Sequence, residues 1–259
     1  MYATERQELI ERQLATAGRV SVIELARSFD VTTETVRRDL DLLEQSGALR
    51  RVHGGAVPPE RGSTIEASLP ERRLRQSDAK SAIARRALDA LGEGFSGSVF
   101  LDAGTTTAAI AAQLAPRLAA ASIDVVTHAL PLAFLLAEAE HSSLTLIGGR
   151  VRGLTAAAVG ADTVRAIGTL RPDIAFIGTN GVSAEFGLST PDPDEAAVKS
   201  AIVRAARLVV VVADSEKLGS ERLVSFAALA DIDILVTDAA PDSELSQALA
   251  DADVEVWTA

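Results

Sequence analysis

The chain contains no cysteine among its 259 residues, which excludes disulfides and thiolate metal sites. Its three histidines, His53, His128 and His141, are scattered, so no histidine-rich metal site and no cofactor are implied. Lysine is scarce, 3 against 22 arginines, a bias that fits a GC-rich coding sequence and carries no functional demand. No run approaches the roughly 18 apolar residues of a membrane span. Residues Met1–Leu14 are charged and amphipathic rather than basic and then apolar, so a cytoplasmic protein with no membrane partner is expected. An excess of positive charge is missing too. The net charge is −11, and residues 1–57 carry 8 Arg and no Lys against 9 Asp and Glu. General affinity for polyanions is thereby excluded, and any contact with nucleic acid has to come from a local cluster on one face.

Such a cluster is present near the N-terminus. Ser21 and Glu24 fit a capping box, and Ile23, Leu25, Ala26 and Phe29 supply the apolar face of a short helix that stops at Asp30. Thr32 suits the N-cap of a second helix, in which Val36, Leu40 and Leu43 form one buried stripe. Glu34, Arg38, Asp41 and Gln45 take the opposite face, with Arg37 on its flank. Two helices joined by so short a turn, the second carrying hydroxyls and guanidiniums near its start, form a helix-turn-helix able to enter a major groove. Thr33, Thr35, Arg37 and Arg38 are the candidate base and backbone contacts. Taken alone, an Arg-Arg pair is more simply a solvated helix face. After Gly47, however, Ala48–Val57 forms two extended runs around His53-Gly54-Gly55, the pattern of a β-hairpin wing. Arg50, Arg51 and His53 are its candidate phosphate contacts. A preceding helix over about Thr4–Ala17 completes the unit.

The remainder divides into a linker with a connecting helix over 58–91, the helix spanning Glu71–Leu91, and an effector domain over 92–259. Short β-branched runs alternate there with amphipathic helices. The strands are Val99–Leu101, Ile123–Thr127, Leu144–Ile147, Ile174–Gly178, Leu208–Ala213, Ile232–Thr237 and Val254–Trp257. The helices are Thr106–Leu118, Leu130–Ala139, Glu195–Arg207 and Ser243–Leu249. This is a Rossmann-like α/β pattern, and the continuous apolar run at Leu208 predicts a sheet covered on both faces. Ligands of such sheets bind beyond the carboxyl ends of the strands. Asp102-Ala103-Gly104-Thr105-Thr106-Thr107 there predicts an anion nest at a helix N-terminus, although the same turn also serves as an ordinary helix cap. It has neither the spacing nor the lysine of a nucleotide P-loop. Thr127-His128, Gly148-Gly149-Arg150, Gly178-Thr179-Asn180-Gly181 and Asp214-Ser215-Glu216-Lys217 follow the other strands, a polar set suited to a small polyhydroxylated phosphate ester. His128 alone, Arg150 and Arg152 equally suit ordinary loop or solvated positions.

These residues together resemble the DeoR-type bacterial transcription regulators. The matching head segments are Val-Thr-Thr-Glu-Thr-Val-Arg-Arg-Asp-Leu-Asp-Leu-Leu-Glu and Arg-Arg-Val-His-Gly-Gly-Ala. In the body they are Asp102–Thr106, Gly148-Gly149, Gly178–Gly181, Gly187–Thr190, Glu195–Lys199 and Asp214–Gly219. The resemblance implies a winged helix-turn-helix followed by a sensor domain similar to ribose-5-phosphate isomerases and CoA transferases. It also implies repression of a sugar catabolic operon, relieved by a phosphorylated sugar. The chain departs from many relatives in having His128 in place of Asn and Ala156-Ala157-Ala158 where a serine is usual. Val126–Pro131, Gly149–Gly153 and Leu188–Asp192 are similar to members that govern fructose uptake, which makes fructose 1-phosphate the favoured effector.

In this reading Gly104, Thr105, Thr106 and Thr107 hold the phosphate with help from Lys217, and Asp102, His128, Asn180 and Glu195 read hydroxyls. Thr127, Gly149 and Arg150 complete the site. The partners expected are double-stranded operator DNA, the phosphorylated sugar and further copies of the chain in a homodimer or homotetramer. The Glu71–Leu91 helix is the expected transmitter between effector and operator. Two alternatives stand beside this one. An activator would differ only in operator position. A sugar-phosphate isomerase with a DNA-binding appendage would use Asp102, Glu195 or Lys217 as acid or base, but a carboxylate in a sugar site is more often a hydroxyl acceptor, so no enzyme is expected.

Overall fold

The computed structural model describes residues 3–17, 20–46, 48–52, 54–57, 63–118, 122–139 and 143–259. Contacts divide the chain into two units, Met1–Gly62 and Ser63–Ala259, and the helices read as a connector fall inside the second. The first unit runs α1 (Ala3–Ala17), β1 (Val20–Ser21), α2 (Val22–Phe29), α3 (Thr33–Gln45), β2 (Arg50–Val52) and β3 (Gly55–Val57). Ile10 and Leu14 of α1 pack with Leu25 and Phe29 of α2 and with Val36, Leu40 and Leu43 of α3, so the spacing seen in the sequence does form the core. Between α2 and α3, Asp30 takes the left-handed conformation (φ 51°), and the Val31 N–H turns back to Ala26 O at 3.0 Å. Thr32 caps α3 by accepting from the Thr35 N–H at 3.2 Å.

Two expectations for α2 need correction. Ser21 occupies the N-cap, but its side chain makes no cap hydrogen bond. Ile23 is 66% exposed. The helix begins at Val22, so Val22, Leu25, Ala26 and Phe29 complete the i, i+3, i+4, i+7 stripe and turn Ile23 to the other side. The wing forms an antiparallel sheet in the order β1-β3-β2. Gly55 is required there: a Cβ at this position would lie 2.0 Å from Val20 O, where β1 crosses β3. Gly47 and His53 lie outside the described residues, as does the Arg50 side chain.

The second unit starts with two helices where one was expected. α4 (Leu69–Leu74) and α5 (Ser77–Ala87) are separated at Gln76 (φ 52°), and a 3-10 turn, Leu88–Leu91, follows. Glu71 starts α4 by accepting from the N–H and hydroxyl of Ser68, each at 2.8 Å. The break at Gln76 leaves carbonyls without helical partners. The ammonium of buried Lys80 takes two of them, Arg72 O at 2.7 Å and Arg75 O at 2.5 Å.

Then follow β4 (Gly97–Leu101), α6 (Thr105–Leu118), β5 (Ile123–Thr127), α7 (Leu130–Ala137), β6 (Ser143–Leu146), β7 (Arg150–Arg152), β8 (Ala157–Val159), α8 (Ala161–Gly168), β9 (Ile174–Gly178), β10 (Gly181–Ser183), β11 (Gly187–Thr190), α9 (Pro193–Ala205), β12 (Leu208–Val212), β13 (Val224–Ala227), β14 (Ile234–Thr237), α10 (Ser243–Asp251) and β15 (Glu255–Thr258). Seven strands form a parallel sheet in the order β15-β14-β12-β9-β4-β5-β6. Alternate residues serve opposite faces. Val99, Leu101, Val210 and Val212 pack under α5, α6 and α7, whereas Phe100, Ala175, Val209 and Val211 pack with α8, α9 and α10. The chain lays β4, β5 and β6 to one side, then returns to place β9 against the free edge of β4 and continues outward. The crevice between the ends of β4 and β9 is therefore the topological switch point, where ligands of open α/β sheets bind. The β7–β8 hairpin and the small antiparallel sheet β10-β11-β13 are additions that the sequence pattern did not reveal.

Candidate functional site

Asp102 follows β4 at the switch point and is wholly buried. Its Oδ2 accepts from the Gly178 N–H at 3.0 Å, directly bridging β4 and β9, and from the ammonium of Lys199 on α9. Its Oδ1 lies 3.0 Å from Nε2 of His128, which follows β5. Burial alone would raise the Asp102 carboxyl, but the Lys199 charge and the His128 contact outweigh it and hold it down at about 2. The His128 ring is pinned from both sides. Nδ1 faces Ala158 O at 2.8 Å and so carries a proton, while Nε2 meets both Asp102 and the Ala103 N–H, the latter at 3.3 Å. Lys199 also donates to Gly178 O at 2.8 Å.

One turn of α9 before Lys199, on the same helical face, stands Glu195. Its Oε1 accepts from Thr155 Oγ1 and, at 3.1 Å, from Arg152 Nη1. Arg152 reaches Asp192 at 3.0 Å and Glu66 at 2.8 Å as well. Glu66 in turn accepts from Asn180 Nδ2 at 3.4 Å, and Thr190 donates to Asn180 Oδ1 at 3.1 Å. Two clusters thus meet along α9: Asp102, His128 and Lys199 in one, and Glu66, Arg152, Asn180 and Glu195 in the other.

The other expected residues divide between binding positions and framework. Thr105 and Thr106 open α6, where first-turn N–H groups have no intrahelical acceptor. The Thr107 hydroxyl donates back to Gly104 O at 3.1 Å and closes that turn. Thr127 is fully buried, donating to Leu101 O at 2.7 Å and accepting from the Ala129 N–H at 3.1 Å, so it braces the strand end. Gly149 is a packing glycine: a Cβ there would fall 2.0 Å from Thr163 Oγ1. Arg150 forms an exposed ion pair with Asp194. Lys217 lies 3.6 Å from Asp214 Oδ1, an otherwise unbonded buried oxygen among the described residues.

On the head, Thr33, Arg37 and Arg38 are exposed along the first turns of α3. The Thr35 hydroxyl lies 2.9 Å from that of Thr32, and Arg37 stands 3.6 Å from Glu34. Arg51 pairs with Asp41, and its N–H donates to Glu44 Oε1 at 2.8 Å, which ties the wing to α3.

Lys199, Glu66 and Arg152 were not among the expected site residues. A signal existed for Lys199, one of only three lysines and four residues beyond Glu195 on a helix. None existed for Glu66, which lies in irregular chain.

A winged helix-turn-helix joined to an α/β domain with a polar crevice at its switch point defines a DNA-binding regulator with a sensor domain. The DeoR-like helix-turn-helix domain matches residues 6–61, and the DeoR C terminal sensor domain matches residues 75–239. The chain is 36% identical to the HTH-type transcriptional regulator GlpR of Haloferax volcanii, covering 99% of this chain and 98% of that one. It is 36% identical to the uncharacterized HTH-type transcriptional regulator FruR of Bacillus subtilis over 92% of each chain. Identity to the glycerol-3-phosphate regulon repressor of Escherichia coli is 30% over 99% of each. The chain belongs to the DeoR family of transcription regulators.

Proposed function

We propose that this protein represses a sugar catabolic operon and leaves its operator when a phosphorylated sugar binds at the β4/β9 crevice. The observation that carries the reading is the convergence of Asp102, His128, Lys199, Asn180 and Glu195 at the switch point, beside the α6 N-terminus. The first-turn N–H groups of Thr105–Thr107 and the Thr105 hydroxyl suit a phosphate, and Lys217 is a second candidate for its charge. Glu195 and Asn180 offer acceptor and donor to sugar hydroxyls, while Asp102 acts through Lys199 and His128. Fructose 1-phosphate is the favoured effector, on the motifs shared with fructose-responsive members. A dimer or tetramer would present paired heads to operator half-sites.

Catalysis has less support. Asp102 accepts from the Gly178 N–H and the Lys199 ammonium, and a carboxyl held at about 2 is a weak proton acceptor. Glu195 is likewise engaged by Arg152 and Thr155.

Arg38→Ala, on the exposed side of α3, should weaken operator binding by about 1–3 kcal/mol at one fixed salt concentration. Fluorescence anisotropy reads this directly, and an unchanged affinity would remove Arg38 from the interface. Thr105→Ala should weaken fructose 1-phosphate binding about tenfold, the cost of a hydrogen bond to a charged group, and leave operator affinity unchanged. Calorimetric titration separates the two, and equal loss of both would indicate misfolding instead.

A further inference from the structure

The segment 63–75 is attached to the rest of its unit through polar contacts. Ser63, Thr64 and Ile65 are exposed, Ile65 by 61%, and α4 buries none of its residues. Its backbone is tied at Ser63 O by the Leu223 N–H, and at Arg72 O and Arg75 O by Lys80. Between those ties Ala67, Ser68, Leu69 and Arg72 are half-buried, and Glu66 goes further. Its side chain is 2% exposed, with Oε1 on Arg72 at 2.7 Å and on Asn180 at 3.4 Å, and Oε2 on Arg152 at 2.8 Å. A carboxylate on chain with no fully buried apolar residue stays buried because donors of that kind hold it.

Arg152 is shared by three carboxylates, Glu66, Asp192 and Glu195. Asp192 and Glu195 belong to the start of α9, whose Val198 and Ile202 are fully buried, and Asp192 caps that helix through the Glu195 N–H at 3.0 Å. Glu66 alone of the three stands outside α9, on the strap of segment 63–75.

We propose that Glu66 is a tethered competitor of the effector: its carboxylate engages Asn180 and Arg152, and the oxygens of a phosphorylated sugar displace it, freeing the strap that leads from the DNA-binding head. The inference rests on the effector site proposed above. The exchange balances chemically, because the ligand's oxygens satisfy Arg152 and Asn180 while Glu66 regains water, so no buried cation is left bare. Two ligands of the same donors exclude one another, and that exclusion gives the sugar its differential affinity for the open strap.

Arg72, Arg73 and Arg75 place trypsin sites on the strap itself. Limited trypsin digestion of the full chain, followed by mass spectrometry, therefore reads its opening. Glu66→Gln should be cut at Arg72–Arg75 about tenfold faster than the wild type and bind fructose 1-phosphate about tenfold more tightly, since nothing has to be displaced. Saturating fructose 1-phosphate, glucose 6-phosphate or glycerol 3-phosphate, whichever binds, should speed cleavage of the wild type. Should Glu66→Gln fail to fold, Glu66→Asp, one methylene too short to span its three donors, should show the same acceleration in smaller measure. Equal cleavage of variant and wild type overturns the proposal. A compound that raises the wild-type melting temperature yet leaves the strap uncut overturns this inference alone. If none raises the melting temperature of either protein, the sensor reading falls with it.

Discussion

Asp39→Ala is expected to unfold the DNA-binding head near physiological temperature while the larger unit stays folded. Asp39, on α3, accepts from Arg6 of α1 through both carboxylate oxygens, at 2.5 and 3.1 Å, and Gln7 adds a bond at 3.3 Å. Both partners are almost wholly buried, the Arg6 side chain 8% exposed and that of Asp39 4%. Removing the carboxylate takes two hydrogen bonds and the paired charge from a buried guanidinium, at a cost of about 3–5 kcal/mol. A head of this size is stable by only about 3–9 kcal/mol, on the order of 0.05–0.15 kcal/mol per residue, so the loss takes most of its margin. Circular dichroism should show part of the helical signal melting early, and operator binding should vanish while fructose 1-phosphate still binds. A single late transition with normal operator affinity would mean that the pair contributes little.

The second large effect is expected at Lys199. Lys199→Met leaves the Asp102 carboxylate buried without its cation, which should cost the sensor domain about 3–5 kcal/mol. For a domain of about 200 residues each kcal/mol lowers Tm by about 2–4 °C, so a fall of roughly 6–20 °C is expected. The pH dependence identifies the cause. Because the folded carboxyl sits near 2 instead of 3.8, its stabilisation is fully present above about pH 5 and disappears as pH falls through about 4 toward 2, amounting to about 2 kcal/mol. The variant lacks the charge that lowers this group, so burial then favours its neutral form. The gap in melting temperature between wild type and Lys199→Met should narrow on acidification. A gap independent of pH would mean that lost packing, and not the unpaired carboxylate, explains the destabilisation.

The head was legible because its signals are local. Thr32 caps its helix through an N–H three residues away, and Val36, Leu40 and Leu43 repeat at the period of one helix face. The parallel strands were legible for a similar reason: an apolar run such as Leu208–Val212 has to be covered on both sides, and the polar residues ending those strands had to share one edge. The break at Gln76 was not visible, since no Gly or Pro marks it and its carbonyls are satisfied by a lysine side chain. The three-residue strands β7, β8 and β10 are too short to carry a period of two. Within the site, Asp102 and His128 were found from their places after strands. Lys199 meets Asp102 across 97 positions of sequence, and Glu66 meets Asn180 across 114. Such pairings depend on the crossover of the sheet, which no local pattern encodes. Ile23 failed for a different reason: it stands about 100° around the helix from Val22, so the stripe through Val22, Leu25, Ala26 and Phe29 leaves it facing outward.

The central claim is that a phosphorylated sugar bound in one unit controls DNA binding by the other. Its most direct test is an anisotropy titration of the full chain on DNA from its own upstream region, repeated at one salt concentration with saturating fructose 1-phosphate, glucose 6-phosphate or glycerol 3-phosphate. At least one of these should lower operator affinity by about 5- to 150-fold, the range of a coupling of roughly 1–3 kcal/mol. A compound that binds the sensor domain and leaves operator affinity unchanged would contradict the account.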